Sequence, residues 1–254
     1  KKENGRSNTS INMDLRNLRT MLLYLKDIGK VFSILSFKRA MAMCPINDEE
    51  PIYITEVEFK KIMVKDWCLL YLPKRKFYKK VFQMYWDLGV RLSEPFISTI
   101  KDNYLCIPKL KNSRARKIRI TDEHKLIIKE MHSKYNSRPT RDHIMNYSKV
   151  FKKALRWCDI DESKHFHSLR HSYALRRRIE TNGNYQMVAK ELGHKSYITT
   201  EKYQRCDEHM LKDDFPSLKY LIETVENRSN IDYSTKKTST KLYSQDYSSC
   251  QQIN

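Results

Sequence analysis

The sequence predicts a mainly α-helical protein with one small antiparallel β-sheet or hairpin, and three observations carry that expectation. Apolar residues recur at three- and four-residue steps through most of the chain, which is the spacing of an amphipathic helix. The period changes only at Tyr104–Pro108 and Lys117–Thr121, two short β-prone runs. Between them lies the polar, basic stretch Lys111-Asn112-Ser113-Arg114-Ala115, so the runs read as a hairpin with cationic residues at its tip.

Taken in order, Ile11, Leu15, Leu18, Leu22, Leu25 and Ile28 place a helix from Ile11 to about Phe37. Pro45 and Pro51, flanking the acidic run Asp48-Glu49-Glu50, interrupt the periodicity as a linker does. A helical segment, 1–45, is therefore separated by a linker, 46–52, from the larger remainder of the chain. Thr55 with Glu58 three residues later is a capping box that opens a new helix. Phe77 to Leu92 read as helical, and Pro95 is expected to end or bend that helix just after Glu94. From Asp122 to Glu226 the chain reads as helices, with loops near Asn136–Thr140, Asp159–Lys164 and Asn182–Asn184. The main domain is thus 53–226. Beyond Asn227 the composition turns Ser/Thr-rich and cannot bury enough apolar surface to offset ordering entropy, so 227–254 is expected to be a flexible tail.

The chain has 254 residues and a formal net charge of +19, from 49 Lys and Arg against 30 Asp and Glu. Such an excess repels itself unless an anionic partner offsets it, and nucleic acid is the commonest. The 6 cysteines include no C-x-x-C pair, which argues against a zinc site or a disulfide framework and for reduced thiols in a cytosolic compartment. No stretch approaches the roughly 20 apolar residues of a membrane span, and no leader pattern opens the chain, so a non-membrane, cytoplasmic protein is expected.

Three separated segments carry chemistry: Gly89-Val90-Arg91-Leu92-Ser93-Glu94, His167-Ser168-Leu169-Arg170-His171, and Leu192-Gly193-His194 with Tyr203 nine residues on. In that order, with the basic hairpin between the first two, they closely resemble the tyrosine recombinase (phage integrase) family over about Ile52 to Glu226. The resemblance implies that family's catalytic-domain fold, with 1–45 as part of a helical, SAM-like core-binding domain for DNA. It implies site-specific DNA recombination, of the integration or excision type, through a 3′-phosphotyrosyl intermediate.

Displacing one phosphodiester oxygen by another builds negative charge on two nonbridging oxygens, and two fixed guanidiniums offer them paired donors. By resemblance Arg91 and Arg170 take that role, and His194 hydrogen-bonds a nonbridging oxygen. A phenol must lose its proton as it attacks. The resemblance makes Tyr203 the nucleophile and His167 its base. The leaving 5′-oxygen needs a proton, which the family's hairpin lysine supplies; Lys111 matches its place, with Lys109 the alternative. Glu94 would orient active-site groups, and His171 is read as support. Pro95 stands where relatives carry an aliphatic residue.

Each of these residues has a bland reading when taken singly. Arg91 and Glu94 could be an i, i+3 surface pair, and His194 the polar residue after a helix-stopping glycine. Their joint order carries the functional reading. Tyr is abundant, with 16 copies, but Tyr173, Tyr185 and Tyr197 lack the spacing that singles out Tyr203.

Basic runs supply Lys74, Arg75, Lys76, Lys79, Arg114, Arg116, Lys117, Arg176 and Arg177 as candidate DNA contacts, of the kind that give affinity without sequence choice. Phe215, Leu218, Leu221, Ile222 and Val225 form an apolar stripe at helical spacing. By resemblance that stripe docks on a neighbouring protomer in a homotetramer on synapsed DNA; packing on its own domain is the alternative. The implied partners are double-stranded DNA bearing a recombination site and accessory DNA-bending or directionality factors, in a nucleoid-associated, prokaryotic, viral or mobile-element setting. No cofactor or metal is expected. Two other readings stay open: a type IB topoisomerase, and a catalytically inactive DNA-binding relative.

Overall fold

A computed structural model describes residues 5, 7–30, 43–45, 50–67, 72–110, 113–135, 139–195, 200 and 202–222. The chain divides into two compact units, Lys1–Glu49 and Glu50–Asn254.

In the first unit, helix α1 (Asn8–Asp27) opens at Ser7, whose hydroxyl accepts from the Ser10 amide. It stops well short of the expected Phe37, because Gly29 takes a left-handed φ of 71° that turns the chain out of the helix. Residues 31–42 lie outside the described set. Asn12 is buried and pairs with the Cys44 backbone in both directions, at 2.9 and 2.7 Å. Asn8 adds a bond to the Pro45 carbonyl.

In the second unit, α2 (Glu56–Val64) begins at the expected capping box of Thr55 and Glu58. Helix α3 (Leu72–Leu88) then runs through the interior. Tyr78, Val81, Phe82, Met84, Tyr85, Trp86 and Leu88 are all buried, a pattern that covers most of the helix circumference. Aromatic stacking builds the core around it: Phe59 lies on Trp86 with ring centroids 4.2 Å apart, Phe82 meets Phe151 edge-on at 4.9 Å, and Tyr85 meets Phe166 at 4.7 Å. Each such side chain contributes about 1.5–3 kcal/mol by leaving water.

The end of α3 differs from the sequence reading. The helix stops at Leu88 rather than continuing to Leu92, because Gly89 adopts φ 59°, and a Cβ there would stand 2.3 Å from the Tyr173 ring. Pro95 does not break this helix; it sits in the first turn of the short α4 (Glu94–Ile97), where a missing N–H costs nothing. Arg91 is consequently on a loop.

A three-stranded antiparallel sheet comes next, in the order β1 (Thr99–Lys101), β2 (Tyr104–Ile107), β3 (Arg116–Arg119). The β2–β3 hairpin is the expected one, in register Tyr104 with Arg119 and Ile107 with Arg116; β1 is a strand the sequence pattern does not predict.

Helices α5 (Asp122–Ser133), α6 (Arg141–Trp157), α7 (Ser168–Glu180) and α8 (Tyr185–Leu192) complete the body, and α7, α5 and α6 pack on α3. Thr121, Thr140 and Asn184 cap α5, α6 and α8 through their side chains. The loops at Asp159–Lys164 and Asn182–Asn184 fall where expected, while 136–138 lie outside the described residues.

A 3-10 turn (Lys202–Arg205), α9 (Glu208–Asp214) and a second 3-10 turn (Pro216–Leu218) lead into helical residues 219–222, where the described chain ends. The apolar stripe after Tyr203 is not one helix. Phe215 and Ile222 are buried in their own core, with Leu218 packed against it, and Phe215 stacks on Tyr53. Val225 and the tail 227–254 lie outside the described residues. Among the described residues no helix is long and apolar enough to cross a membrane.

Candidate active site

Helix α7 delivers the second motif. Consecutive helical side chains point about 100° apart, so Arg170 and His171 face different neighbours. Arg170 turns toward two glycine-ended helices: Nη1 donates to the Gly89 carbonyl at 2.7 Å and Nη2 to the Leu192 carbonyl at 2.6 Å. Both carbonyls terminate helices, α3 and α8, where the backbone dipoles leave partial negative charge. The side chain is only 2% exposed. Burial, followed by the neighbouring Arg91 charge, pulls the Arg170 guanidinium down to about 9, with Glu94 acting in the opposite sense. It therefore remains a cation at neutral pH.

Glu94 is the hub of the cationic cluster. Its fully buried carboxylate accepts from the Arg91 guanidinium at 2.9 Å and from the Arg91 amide at 2.6 Å. Arg116 reaches it from β3 with a two-pronged bond, Nη1 to Oε1 at 3.0 Å and Nη2 to Oε2 at 2.7 Å. Arg170 stands 3.9 Å away. Burial alone would raise this carboxyl, but the Arg116 bonds and charge, the Arg91 amide and Arg170 outweigh it and hold the group below the usual 4.5.

The third motif is a helix stop. Gly193 ends α8 at φ 68°, and the His194 amide closes the turn on the Ala189 carbonyl at 2.9 Å. A Cβ on Gly193 would meet Arg116 Nη1 at 2.6 Å, so only glycine leaves room for the guanidinium that serves Glu94. The hairpin tip is laid against this turn: Ser113 bridges His194, and the Arg114 amide donates to the Gly193 carbonyl at 3.1 Å. His194 itself is buried, with Nδ1 2.8 Å from the Thr200 hydroxyl. A cleft of about 830 Å³ opens here, lined by Arg114, Arg116, Lys117, Lys190, His194 and Lys195. Lys111 lies outside the described residues, two positions before Ser113.

Tyr203 occupies the first 3-10 turn and is 2% exposed. Its hydroxyl is 2.7 Å from His171 Nδ1. Burial raises the phenol above its ordinary value, while the Arg170 and Arg91 charges draw it back. Arg178, two turns along α7 on the same face as His171, donates from Nη1 to the carbonyls of Tyr203 (2.9 Å) and Cys206 (2.8 Å). His167 is exposed at the N-cap of α7, its ring perpendicular to that of His171 with centroids 4.8 Å apart. Of the other tyrosines, Tyr173 donates its hydroxyl to Glu191, and Tyr197 lies outside the described residues.

Arg91, Glu94, Arg170, His171 and Tyr203 thus meet, with His194 and the hairpin alongside. In the sequence Arg178 reads only as the end of the basic run Arg176-Arg177-Arg178; its hold on the Tyr203 turn was missed, with its seven-residue offset from His171 the available signal.

Several basic residues read as surface contacts turn inward instead. Arg116 is bound to Glu94, with only 6% of its side chain exposed. Arg176 stacks on Trp86, its guanidinium 4.2 Å from the ring centroid, and bonds that residue's carbonyl. Arg177 grips Glu191 with Nε at 2.8 Å and Nη2 at 2.7 Å, tying α7 to α8. Arg75 pairs with Asp66 and the Trp67 carbonyl, and Lys79 bonds the Lys65 carbonyl beside Trp67. Long aliphatic arms let these cations reach buried acceptors. Lys76, Arg114 and Lys117 are exposed, and Lys74 is half-buried. Among the described residues no cluster of three His, Cys, Asp or Glu side chains is placed to hold a metal ion.

A family model described as the phage integrase family matches residues 53–210. No curated protein matches the sequence. Among solved structures, a lambda integrase dimer bound to a COC′ core site is 16% identical with a TM-score of 0.57, over 80% of this chain and 60% of that one. The Tn1549 transposon integrase in complex with transposon right-end DNA is 15% identical with a TM-score of 0.56, over 84% of this chain and 79% of that one. The XerH site-specific recombinase bound to difH is 18% identical with a TM-score of 0.48, over 65% of this chain. The chain spans 53% of the XerH chain and 60% of the lambda integrase chain. At such identities the likeness is one of fold: helices around a small three-stranded antiparallel sheet, as in tyrosine recombinase catalytic domains.

Proposed function

The chain belongs to the phage integrase family, and from that premise we propose that it cuts and rejoins double-stranded DNA at a specific site as a tyrosine recombinase. The observation that carries the proposal is the Tyr203 hydroxyl, hydrogen-bonded inside a site where Arg91 and Arg170 gather on one buried carboxylate. That combination supplies a nucleophile and two cations for the charge that builds on a phosphate under attack.

In this reading Arg91 and Arg170 bind the nonbridging oxygens of the scissile phosphate. Arg170 is prepared for it, since the Gly89 and Leu192 carbonyls hold its buried guanidinium in place beside Glu94. His194 and His167 donate to the same oxygens, Lys111 protonates the departing 5′-oxygen, and Tyr203 stays joined to the DNA 3′ end. The phosphotyrosine bond conserves the energy of the broken linkage, so a partner strand reseals the backbone without nucleotide. Side-chain cations take the charge-neutralising task that a metal performs in other phosphoryl transfers, and cleavage should persist in excess chelator. Residues 1–45 form part of the clamp on DNA, and exposed Lys76, Arg114 and Lys117 contact phosphates. Four copies on two synapsed sites, with accessory DNA-bending or directionality factors, complete the assembly. Because Phe215 and Ile222 pack at home, contact with a neighbouring copy falls to chain beyond Ile222. The setting is the nucleoid-associated cytoplasm of a prokaryotic, viral or mobile-element system.

A library of nicked duplexes randomised across the central base pairs tests the proposal, because a short 5′-hydroxyl fragment that diffuses away traps the covalent intermediate. The chain should form an adduct stable to denaturation, mapping to Tyr203, and sequencing its DNA identifies the site. Tyr203→Phe should abolish the adduct while leaving DNA binding intact, since only the hydroxyl is lost. An adduct on any other residue, or none, overturns the reading.

A further inference from the structure

We propose that His171, and not His167, is the base that takes the Tyr203 proton. The inference rests on the recombinase reading above and deepens it. His171 Nδ1 lies 2.7 Å from the phenol oxygen, within hydrogen-bond reach, and both side chains are buried. His167 is exposed at the start of α7, its ring edge-on to that of His171. The two histidines therefore differ: the buried one meets the nucleophile's hydroxyl, and the exposed one meets the buried one's ring.

The helix enforces this division. His171 is one residue beyond Arg170, so while Arg170 is directed to the ends of α3 and α8, His171 is turned to the Tyr203 side. Arg178, seven residues on, holds the backbone of the same turn by the Tyr203 and Cys206 carbonyls. One face of α7 thus fixes the nucleophile at both its main chain and its hydroxyl. The charged and titratable groups around the pair are Arg170 and Arg178 from α7, Arg91 from the loop after α3, Cys206 from the nucleophile's own segment, and His167. Burial raises the phenol, which makes an adjacent proton acceptor more necessary.

With His171 protonated on Nε2, its Nδ1 lone pair accepts the phenolic proton as the Tyr203 oxygen forms its bond to phosphorus. The phosphorus–O5′ bond breaks, and the 5′-oxygen leaves with that electron pair and takes a proton from Lys111. Rejoining runs the same transfers backwards, the His171 proton returning to Tyr203.

Asparagine separates proton acceptance from hydrogen bonding, because its side-chain oxygen can occupy the Nδ1 position and accept a hydrogen bond but takes no proton at neutral pH. Single-turnover adduct formation on the nicked duplex recovered from the library should fall roughly 100-fold or more in His171→Asn, the range for loss of a general base. Placing a fluorinated tyrosine at 203, whose phenol ionises more readily, should recover roughly tenfold or more of the lost rate in His171→Asn. The same replacement should recover nothing in His167→Asn, whose defect lies on the phosphate. Thermal unfolding of His171→Asn near the wild-type temperature confirms that the variant is folded. If His171→Asn cleaves within a few-fold of wild type, or if fluorination rescues His167→Asn instead, the assignment is overturned while the recombinase reading stands. If the wild-type chain itself makes no Tyr203 adduct, the recombinase reading fails first.

Discussion

Arg170 and Tyr203 are equally enclosed, yet what encloses them differs. Arg170 is held from three separate parts of the chain: the Gly89 carbonyl, the Leu192 carbonyl and, across 3.9 Å, the Glu94 carboxylate that Arg91 and Arg116 share. Tyr203 is held by His171 at its hydroxyl and by Arg178 at its carbonyl, both from one face of α7. The phosphate-binding half is thus tied to several backbone segments, while the nucleophile, itself a core residue, takes these polar contacts from one helix. Damage to the first should cost more stability as well as reaction, and damage to the second less stability for its loss of reaction.

The largest expected effect is on Glu94. Glu94→Ala leaves Arg116 and Arg170 buried without their carboxylate and should cost about 3–5 kcal/mol, read as a lower urea midpoint. The acid side sharpens this. Because the folded protein holds Glu94 below 4.5, its contribution is complete above pH 4.5 and is lost as pH falls below that value. Glu94→Gln should therefore flatten the acid limb of the stability profile. A Glu94→Ala protein as stable as wild type would break the contrast.

Arg178→Gln comes next. Removing a buried, charged donor to two carbonyls should cost roughly 1.5–3 kcal/mol, less than Glu94→Ala, with a slower adduct and unchanged DNA affinity. Trypsin should also cut faster within Lys202–Arg205. Equal losses in binding and cleavage would show that the two halves are not separable.

The smallest effect distinguishes outward from inward cations. Lys117→Ala should lower the slope of log affinity against log salt by about one, whereas Arg177→Ala should leave it unchanged, since its guanidinium is engaged by Glu191. The reverse result would restore Arg177 to the DNA surface.

How much of this was legible in the sequence depended on the range of the interaction. The capping box at Thr55 and the β2–β3 hairpin are local, and they appear where the spacing put them. Strand β1 was hidden, because its three residues, Thr99-Ile100-Lys101, show no buried face of their own and are strand only by pairing with β2. The early stop of α3 was also missed: Gly89 was read as part of a motif, while the Tyr173 ring that excludes any side chain there lies 84 positions away. The same limit applies to charge. A run such as Arg176-Arg177-Arg178 looks uniform, yet its members face Trp86, Glu191 and the Tyr203 turn. His171 was visible beside Arg170, but nothing in its spacing revealed that it reaches a hydroxyl 32 residues on.

Gly193 has a consequence for how this protein can vary through descent. Its missing side chain is the space that Arg116 fills, and Arg116 is one of three arginines that balance Glu94. Positions 94, 116 and 193 therefore form one inherited unit spread over 100 residues of sequence. A lineage that acquires any larger residue at 193 displaces the guanidinium and leaves the carboxylate to Arg91 and Arg170, so the first change costs stability where the other two are kept. The three are expected to be retained together or exchanged together, and a gene shuffled between relatives at a point between 116 and 193 inherits the conflict.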